Sequence, residues 1–376
     1  MLSPNDSAPA YSRNAAPFLH GPESEAMIRA VEAGQYGHHD QTERFEAELA
    51  EFLGVADVVA VSRCTAAMHL ALSAAGVGRG DEVVVPSQTF CATVHAIRAA
   101  GAVPRFADID PDTQCVTAQT IAEAITADTR AVLPVHYGGR AVDLTSLKPR
   151  LDEERIAIVE DAAHSFGSRH LGGKRVGTTA ALTCFSFGPI KTITSIEGGA
   201  IVPRDPREAE RLRTVRLLGI RPKQAERIRS THYPVDGVGL PYHLSAVHAA
   251  VGRVQLAHYR VVADQRRMLW QSYCTALADL EGVRLIDVDI ARTVPFNAVV
   301  RVPDRDRVFA RMKAAGIGVG VHYPPNHLQP AFRGWTRPRP LPATEATARE
   351  LLSLPFHPAM TIHDVTAVVE VLATML

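Results

Sequence analysis

Cysteine is scarce and scattered in this chain of 376 residues. The five cysteines, Cys64, Cys91, Cys115, Cys184 and Cys274, are odd in number and form no CxxC pair. That pattern argues against a disulfide framework and against the paired thiols of a structural zinc site. It fits a reducing cytoplasm, which is the expected location. Net charge is absent as well, since 40 Lys+Arg balance 40 Asp+Glu. A neutral chain has no field to draw in nucleic acid or an anionic membrane, so neither is an expected partner. No apolar run reaches membrane-spanning length. Residues 1–13 lack the basic start and apolar stretch of a signal peptide. There is no internal repeat and no low-complexity segment. What is present is the composition of a globular enzyme, 46% hydrophobic and 21% charged. The length allows a large domain plus a smaller one.

From about residue 57 to 203, short β-rich runs alternate with helical patterns. Residues 57–61, 82–85, 103–107, 131–135, 156–160, 182–187 and 200–202 read as strands. Residues 65–76 and 90–100 read as helices. Continuous apolar strands separated by helices predict an α/β fold, with a mostly parallel sheet covered on both faces. Gly172-Gly173 predicts a hairpin turn. Residues 244–271 read as one long helix leading to a second unit. That unit has a strand at 297–302, a helix at 306–315 and a final helix at 362–375, an α+β pattern. The expected division is a large domain over 15–255 and a small C-terminal domain over 256–376. The Pro-rich stretch 338–342 reads as a surface loop.

Several residues have the chemistry of a site. Ser62-Arg63-Cys64-Thr65 follows a strand and opens a helix. Free N–H groups and the positive dipole end there suit a phosphate, with the Thr65 hydroxyl as a further donor. The ordinary alternative is that Thr65 caps its own helix. The segment lacks the lysine and glycines of a P-loop, which argues against a nucleoside triphosphate. Asp161 follows a buried strand and precedes Ala162-Ala163-His164. A carboxylate at a strand end can pair with a protonated pyridine nitrogen. Ser186 alternates with Phe185 and Phe187, as in a strand, and needs a polar partner. Lys191 lies 30 positions after Asp161 with Ile190, Ile193 and Ile196 nearby. Desolvation would favour its reactive amine, although most lysines lie in exposed loops. A lysine amine and an acidic ring partner together point to pyridoxal phosphate. Phe90, at the start of a helix, is either a ring-stacking face or a core residue. His38-His39-Asp40 invites a metal reading, but no further ligand cluster lies near it in sequence, and no metal is expected.

Taken together, these runs resemble the DegT/DnrJ/EryC1/StrS sugar aminotransferases, a family of fold-type I pyridoxal phosphate enzymes. The resemblance covers nearly the whole chain. It includes residues 62–70, Gly80-Asp81-Glu82, residues 160–167, residues 185–191 with Glu197-Gly198-Gly199, His322-Tyr323-Pro324 and Leu354-Pro355-Phe356-His357-Pro358. It implies the fold-type I architecture, a sheet of the seven-stranded type flanked by helices plus a small α+β domain. It also implies pyridoxal 5'-phosphate as cofactor. Lys191 would attach the cofactor and move the proton, and Asp161 would pair with the ring nitrogen. His164 would contact the ring oxygen, with Phe90 and Ala163 on the two ring faces. Cys64, Thr65, Ala66 and Ser186 would hold the phosphate. His39, His322 and Tyr323 would lie on the substrate side.

The implied reaction moves nitrogen from glutamate or glutamine to a keto sugar, usually nucleotide-linked, or a related cyclic ketone, in antibiotic or surface-sugar biosynthesis. A homodimer with active sites near the subunit interface is implied too. Several positions depart from the family pattern, and Ile196 is one, standing where a glycine is common before Glu197. Pro241 stands where an asparagine usually reaches the neighbouring subunit's phosphate site, and proline has no group to do so. Arg63-Cys64 replaces Asn-Gly, and His39-Asp40 replaces Gly-Pro. These departures suggest an unusual acceptor. Two other readings stand beside transamination. One is a non-transaminating enzyme of the dehydratase or amino-aromatic synthase type. The other is a cofactor-binding regulatory protein.

Overall fold

The computed structural model describes residues 8–179, 181–221, 229–335 and 339–376. Seven strands form one sheet: β1 (Val59–Val61), β2 (Glu82–Pro86), β3 (Val103–Ala107), β4 (Thr129–Val132), β5 (Ala157–Asp161), β6 (Leu182–Ser186) and β7 (Gly199–Val202). Their order across the sheet is β1-β7-β6-β5-β4-β2-β3. The pairs β2–β3, β2–β4, β4–β5 and β5–β6 are parallel. Strand β7 is antiparallel to both β6 and β1. Strand β1 therefore runs with the parallel set, and β7 alone opposes it.

Because strand side chains alternate, each strand feeds two cores. Val83 and Val85 pack with the helix α3 (Cys64–Ala74) on one face, and Val84 between them packs into a second cluster on the other. Val58 and Ala60 likewise face Phe45 and Leu49 of α2 (Asp40–Leu53), away from Val59 and Val61. Both faces are covered, which explains why the strands read as continuous apolar runs. Helices α1 (Pro22–Glu32), α4 (Cys91–Ala99), α5 (Ala118–Ala122), α6 (Lys148–Glu153) and α7 (Pro206–Val215) complete this part with α8 (Ala246–Ala257). The Gly172-Gly173 turn is present: His170 N–H donates to the Lys174 carbonyl, and Gly173 takes φ +78°.

The expected single helix over 244–271 is two helices. Helix α8 ends and α9 (Tyr259–Leu277) begins around His258, whose backbone is non-helical (φ −97°, ψ 6°). The His258 imidazole Nδ1 lies 2.8 Å from the Val254 carbonyl, which also accepts the His258 N–H at 3.3 Å. Its ring also stacks on His20, with centroids 4.3 Å apart.

A separate core gathers α9, α10 (Arg305–Ala314) and α12 (Ile362–Ala373) around a three-stranded antiparallel sheet. That sheet has β9 (Ala298–Arg301) between β8 (Arg284–Leu285) and β10 (Leu351–Leu354). Ala10 and Tyr11, from the start of the chain, pack against this core. Of the stretch 338–342 read as a loop, Pro338 lies outside the described residues. Pro342 opens the helix α11 (Pro342–Ala348) at its first position, where a missing N–H costs nothing.

Candidate active site

The topology collects the candidate residues at one edge of the sheet. Strands β1, β2, β5 and β6 share a direction, so the start of α3, Phe90, Asp161 and the segment after Ser186 all lie at carboxyl ends. Strand β7 runs the other way and begins at that edge with Gly199, which pairs with Val61 on one side and Ser186 on the other. Only glycine fits there. A Cβ on Gly199 would stand 2.6 Å from both the Arg63 carbonyl carbon and the Cys64 nitrogen. This close approach sets the start of α3 against the end of β6.

A cavity of about 170 Å³ opens at this edge. Cys64, Thr65, Phe90, Asp161, Ala163, His164, Ser186, Lys191 and Tyr323 line it, with Arg63, Thr93 and Glu197. Ala66 is the third residue of α3 and is not on the wall. Helix α3 begins at Cys64, with Arg63 as its cap residue and no side-chain cap bond. Thr65 therefore lies inside the first turn and does not cap the helix, leaving the early N–H groups of an 11-residue helix directed at the cavity edge. Phe90 is 55% exposed, which rules out the core alternative.

Asp161 is buried, and its carboxylate is gripped from two sides. Thr93 Oγ1 donates to Oδ2 at 2.7 Å, and Ala163 N–H donates to Oδ1 at 3.1 Å. Thr89 Oγ1 lies 3.0 Å from Thr93 Oγ1 and supplies the proton there, because the Thr93 proton is committed to Asp161. Lys191 is half-buried, and desolvation pushes its pKa down to about 8. Cys64 and Asp161 act against that fall, and Arg266 adds to it. His164 is held well below the usual imidazole range, first by burial and then by the Lys191 charge. Its Nε2 lies 3.1 Å from the Tyr323 hydroxyl, and its Nδ1 is buried with no partner.

The substrate-side candidates separate. Tyr323 lies in the cavity wall, 5.6 Å from Phe90 between ring centroids. His322 faces away, with Nδ1 2.7 Å from Ser353 Oγ, and its carbonyl accepts from the Tyr137 hydroxyl. His39 lies in the wall of another cavity with His38, Arg216 and His243, and its Nδ1 is 3.7 Å from Asp40. It is not brought to Lys191. Thr93, Phe296 and Glu197 were missed as candidates. Thr93 had one legible signal, its place one turn beyond Phe90 on the same helix face as Thr89.

A second polar cluster, His136, Glu160 and His170, could in principle gather a metal. The His136 tautomer opposes this. Nδ1 accepts the Val142 N–H at 3.1 Å, so the ring proton sits on Nε2, the atom facing Glu160. A protonated nitrogen has no lone pair to offer a cation.

A family model described as the DegT/DnrJ/EryC1/StrS aminotransferase family matches residues 19–373. The chain belongs to that family. It is 37% identical over 338 residues to the erythromycin biosynthesis sensory transduction protein EryC1 of Saccharopolyspora erythraea, covering 89% of this chain and 90% of that one. It is 36% identical over 337 residues to the dTDP-3-amino-3,4,6-trideoxy-alpha-D-glucose transaminase of Streptomyces venezuelae, covering 89% and 86%. Among solved structures, the aminotransferase TlmJ from Streptoalloteichus hindustanus superposes with a TM-score of 0.89 at 33% identity, over 96% of this chain and 98% of that one. DesV of S. venezuelae, solved with a ketimine intermediate, gives 0.88 at 34% identity over the same shares. Family membership turns the cavity into an aminotransferase site whose residues can be tested for fit. An uncapped helix start, a fixed carboxylate, a desolvated amine and an unpartnered imidazole nitrogen all border one space, a donor set suited to a phosphorylated pyridine aldehyde.

Proposed function

We propose that this protein is a pyridoxal 5'-phosphate-dependent aminotransferase that moves an amino group from glutamate or glutamine to a keto sugar, most simply a nucleotide-linked one. The observation that carries this reading is the meeting of half-buried Lys191 with the Thr93-fixed Asp161 in one cavity. When bound, the cofactor supplies the aldehyde that takes up nitrogen and the ring that withdraws electrons. Lys191 Nζ is the attachment point and then the base that carries the proton. A pKa near 8 leaves a usable fraction of neutral amine at neutral pH. Asp161 is the partner of the ring nitrogen, and its two donors keep it aimed. His164 serves the ring oxygen and stays neutral. Phe90 and Ala163 flank the ring. Cys64, Thr65, the Ala66 amide and Ser186 take the phosphate. Tyr323 borders the substrate side, and His322 acts only through its carbonyl and its bond to Ser353.

Several further readings belong with this one. The division into 15–255 and 256–376 is supported by the core around the small sheet and by the break at His258, with Ile286, Val299 and Leu351 joining the two parts through a shared cluster. A homodimer is supported by exposed apolar residues near the site edge: Leu218, Tyr233, Val235 and Val238, the last 96% exposed. Pro241 bridges Leu217 within the chain, and His243 pairs with Val61. A cytoplasmic setting fits five free cysteines. Among the described residues no helix is long and apolar enough to cross a membrane.

The test is the visible absorption of the protein loaded with pyridoxal phosphate, before and after L-glutamate or L-glutamine. A band that disappears with one donor supports transamination and names the donor. A band indifferent to every amino acid favours the dehydratase, amino-aromatic or regulatory readings. No band would end the cofactor assignment. Lys191→Ala should abolish band and turnover together.

A further inference from the structure

Phe296 precedes β9 and belongs to no motif quoted above, yet it touches two of the groups assigned to the chemistry. Its ring stacks on the His164 imidazole with centroids 3.9 Å apart and planes 13° from parallel. Lys191 Nζ lies over the same ring, 4.4 Å from its centroid. The backbone that carries this ring is fixed from two directions. Phe296 N–H donates to the Gly138 carbonyl at 2.9 Å. The Phe296 carbonyl accepts from Arg266 Nη1 at 2.9 Å, and the same atom reaches the Pro295 carbonyl at 3.3 Å. Arg266 is itself buried and forms no ion pair among the described residues, so these carbonyls are its anchorage.

The structure assigns Phe296 as a positioning residue that holds the Lys191 amine and the His164 imidazole in one arrangement through the face of its ring. The inference rests on Lys191 being the reactive amine. An ammonium drawn partly out of water is attracted by an aromatic face through the ring quadrupole. The parallel stack fixes the plane of His164, and the Tyr323 hydroxyl fixes its rotation. Leucine would fill much of the same space but would offer neither face nor quadrupole.

The test titrates Lys191 directly in the full-length chain without cofactor. The chain has five lysines, Lys148, Lys174, Lys191, Lys223 and Lys313. Lysine labelled with carbon-13 at Cε therefore gives few signals, and Lys191 is assigned by its loss in Lys191→Met. The ionisable groups around it are Asp161 from β5, Cys64 from α3, Arg266 from α9 and the imidazoles His164 and His322. All of these are unchanged in the variants. Phe296→Leu should lower the Lys191 midpoint by about half a pH unit, the shift expected for a cation–π contact. Phe296→Tyr keeps the ring face and should restore the wild-type midpoint. An unmoved midpoint in Phe296→Leu, or an equal fall in Phe296→Tyr, overturns the assignment. If the leucine variant does not fold, Phe296→Met replaces it with the same two outcomes. No cofactor or turnover enters the measurement, so its failure leaves the transaminase reading standing. Turnover by Lys191→Ala would instead remove the reading on which the inference rests.

Discussion

Replacing Thr93 by valine isolates one link of the site, because the two side chains have nearly the same shape. Thr93 is buried, and its hydroxyl donates to Asp161 at 2.7 Å while accepting from Thr89 at 3.0 Å. Valine removes a hydrogen bond to an ionised group and leaves the Thr89 hydroxyl without its acceptor. The Ala163 N–H alone then holds the carboxylate. A buried charge-assisted bond of this kind is worth about 1.5–3 kcal/mol. For a cooperative unit of roughly 240 residues, that loss lowers Tm by roughly 3–6 °C. The assay is thermal unfolding without cofactor, run beside equilibrium dialysis with pyridoxal phosphate. Thr93→Val should lose both stability and cofactor retention. Thr93→Ser, which keeps the hydroxyl, should lose much less of either. A change below about 0.5 kcal/mol in Thr93→Val would show that Asp161 does not depend on this donor. Equal losses in the two variants would show that packing, and not the hydroxyl, is what matters.

Two further outcomes follow from the same geometry. Gly199→Ala places a Cβ 2.6 Å from two backbone atoms that cannot swing aside, so it should destabilise by roughly 2 kcal/mol or more and loosen cofactor binding. Wild-type stability and retention in that variant would contradict the tight seam between β7 and α3. Lys191→Met should stabilise the cofactor-free protein at pH 7, because the folded state holds an ammonium whose pKa has fallen from 10.5 to about 8. Below pH 8 both folded and unfolded chains are protonated, and the full burial cost, on the order of 3 kcal/mol, is present. Between about 8 and 10.5 the unfolded chain binds more protons, so wild-type stability rises with pH and the advantage of methionine shrinks. Unfolding midpoints of the two proteins at pH 7 and pH 9.5 check this. A difference that is constant or grows with pH would refute it.

The large sheet was legible because its strands are buried on both faces and bounded by turn residues. Residues 103–107 form a strand with the bounds read from the sequence, and Lys191 and Asp161 stand out because the sheet edge brings loops together. Other features depend on packing that no local pattern encodes. The break at His258 arises from an imidazole that bonds its own helix and stacks on His20, far away in sequence. His39 sits in a different cavity from Lys191, beside Arg216 and His243, which are remote from it in sequence. Phe296 arrives from a connection beside the small sheet, and a phenylalanine before a strand is ordinarily core.

Glu160 and Asp161 show how structure separates a functional acid from a structural one where sequence cannot. They are adjacent, both buried, and both at the end of the same apolar strand. Alternation sends them to opposite faces of the sheet. Glu160 meets a closed shell: Thr183 Oγ1 at 2.6 Å, Thr179 Oγ1 at 3.4 Å and the His136 Nε2 at 3.8 Å. Burial pushes its pKa up, and the His136 and Thr183 bonds outweigh that and hold it below the ordinary carboxylate range. Nothing about Glu160 calls for a ligand, and it does not reach the cavity. Asp161 has one chain donor on each carboxylate oxygen, from Thr93 and Ala163, and borders the cavity with Lys191. A buried carboxylate needs hydrogen-bonded or charged partners to stay ionised. On the proposed function, the one whose shell is completed across a cavity is the one that would receive a cationic ring nitrogen.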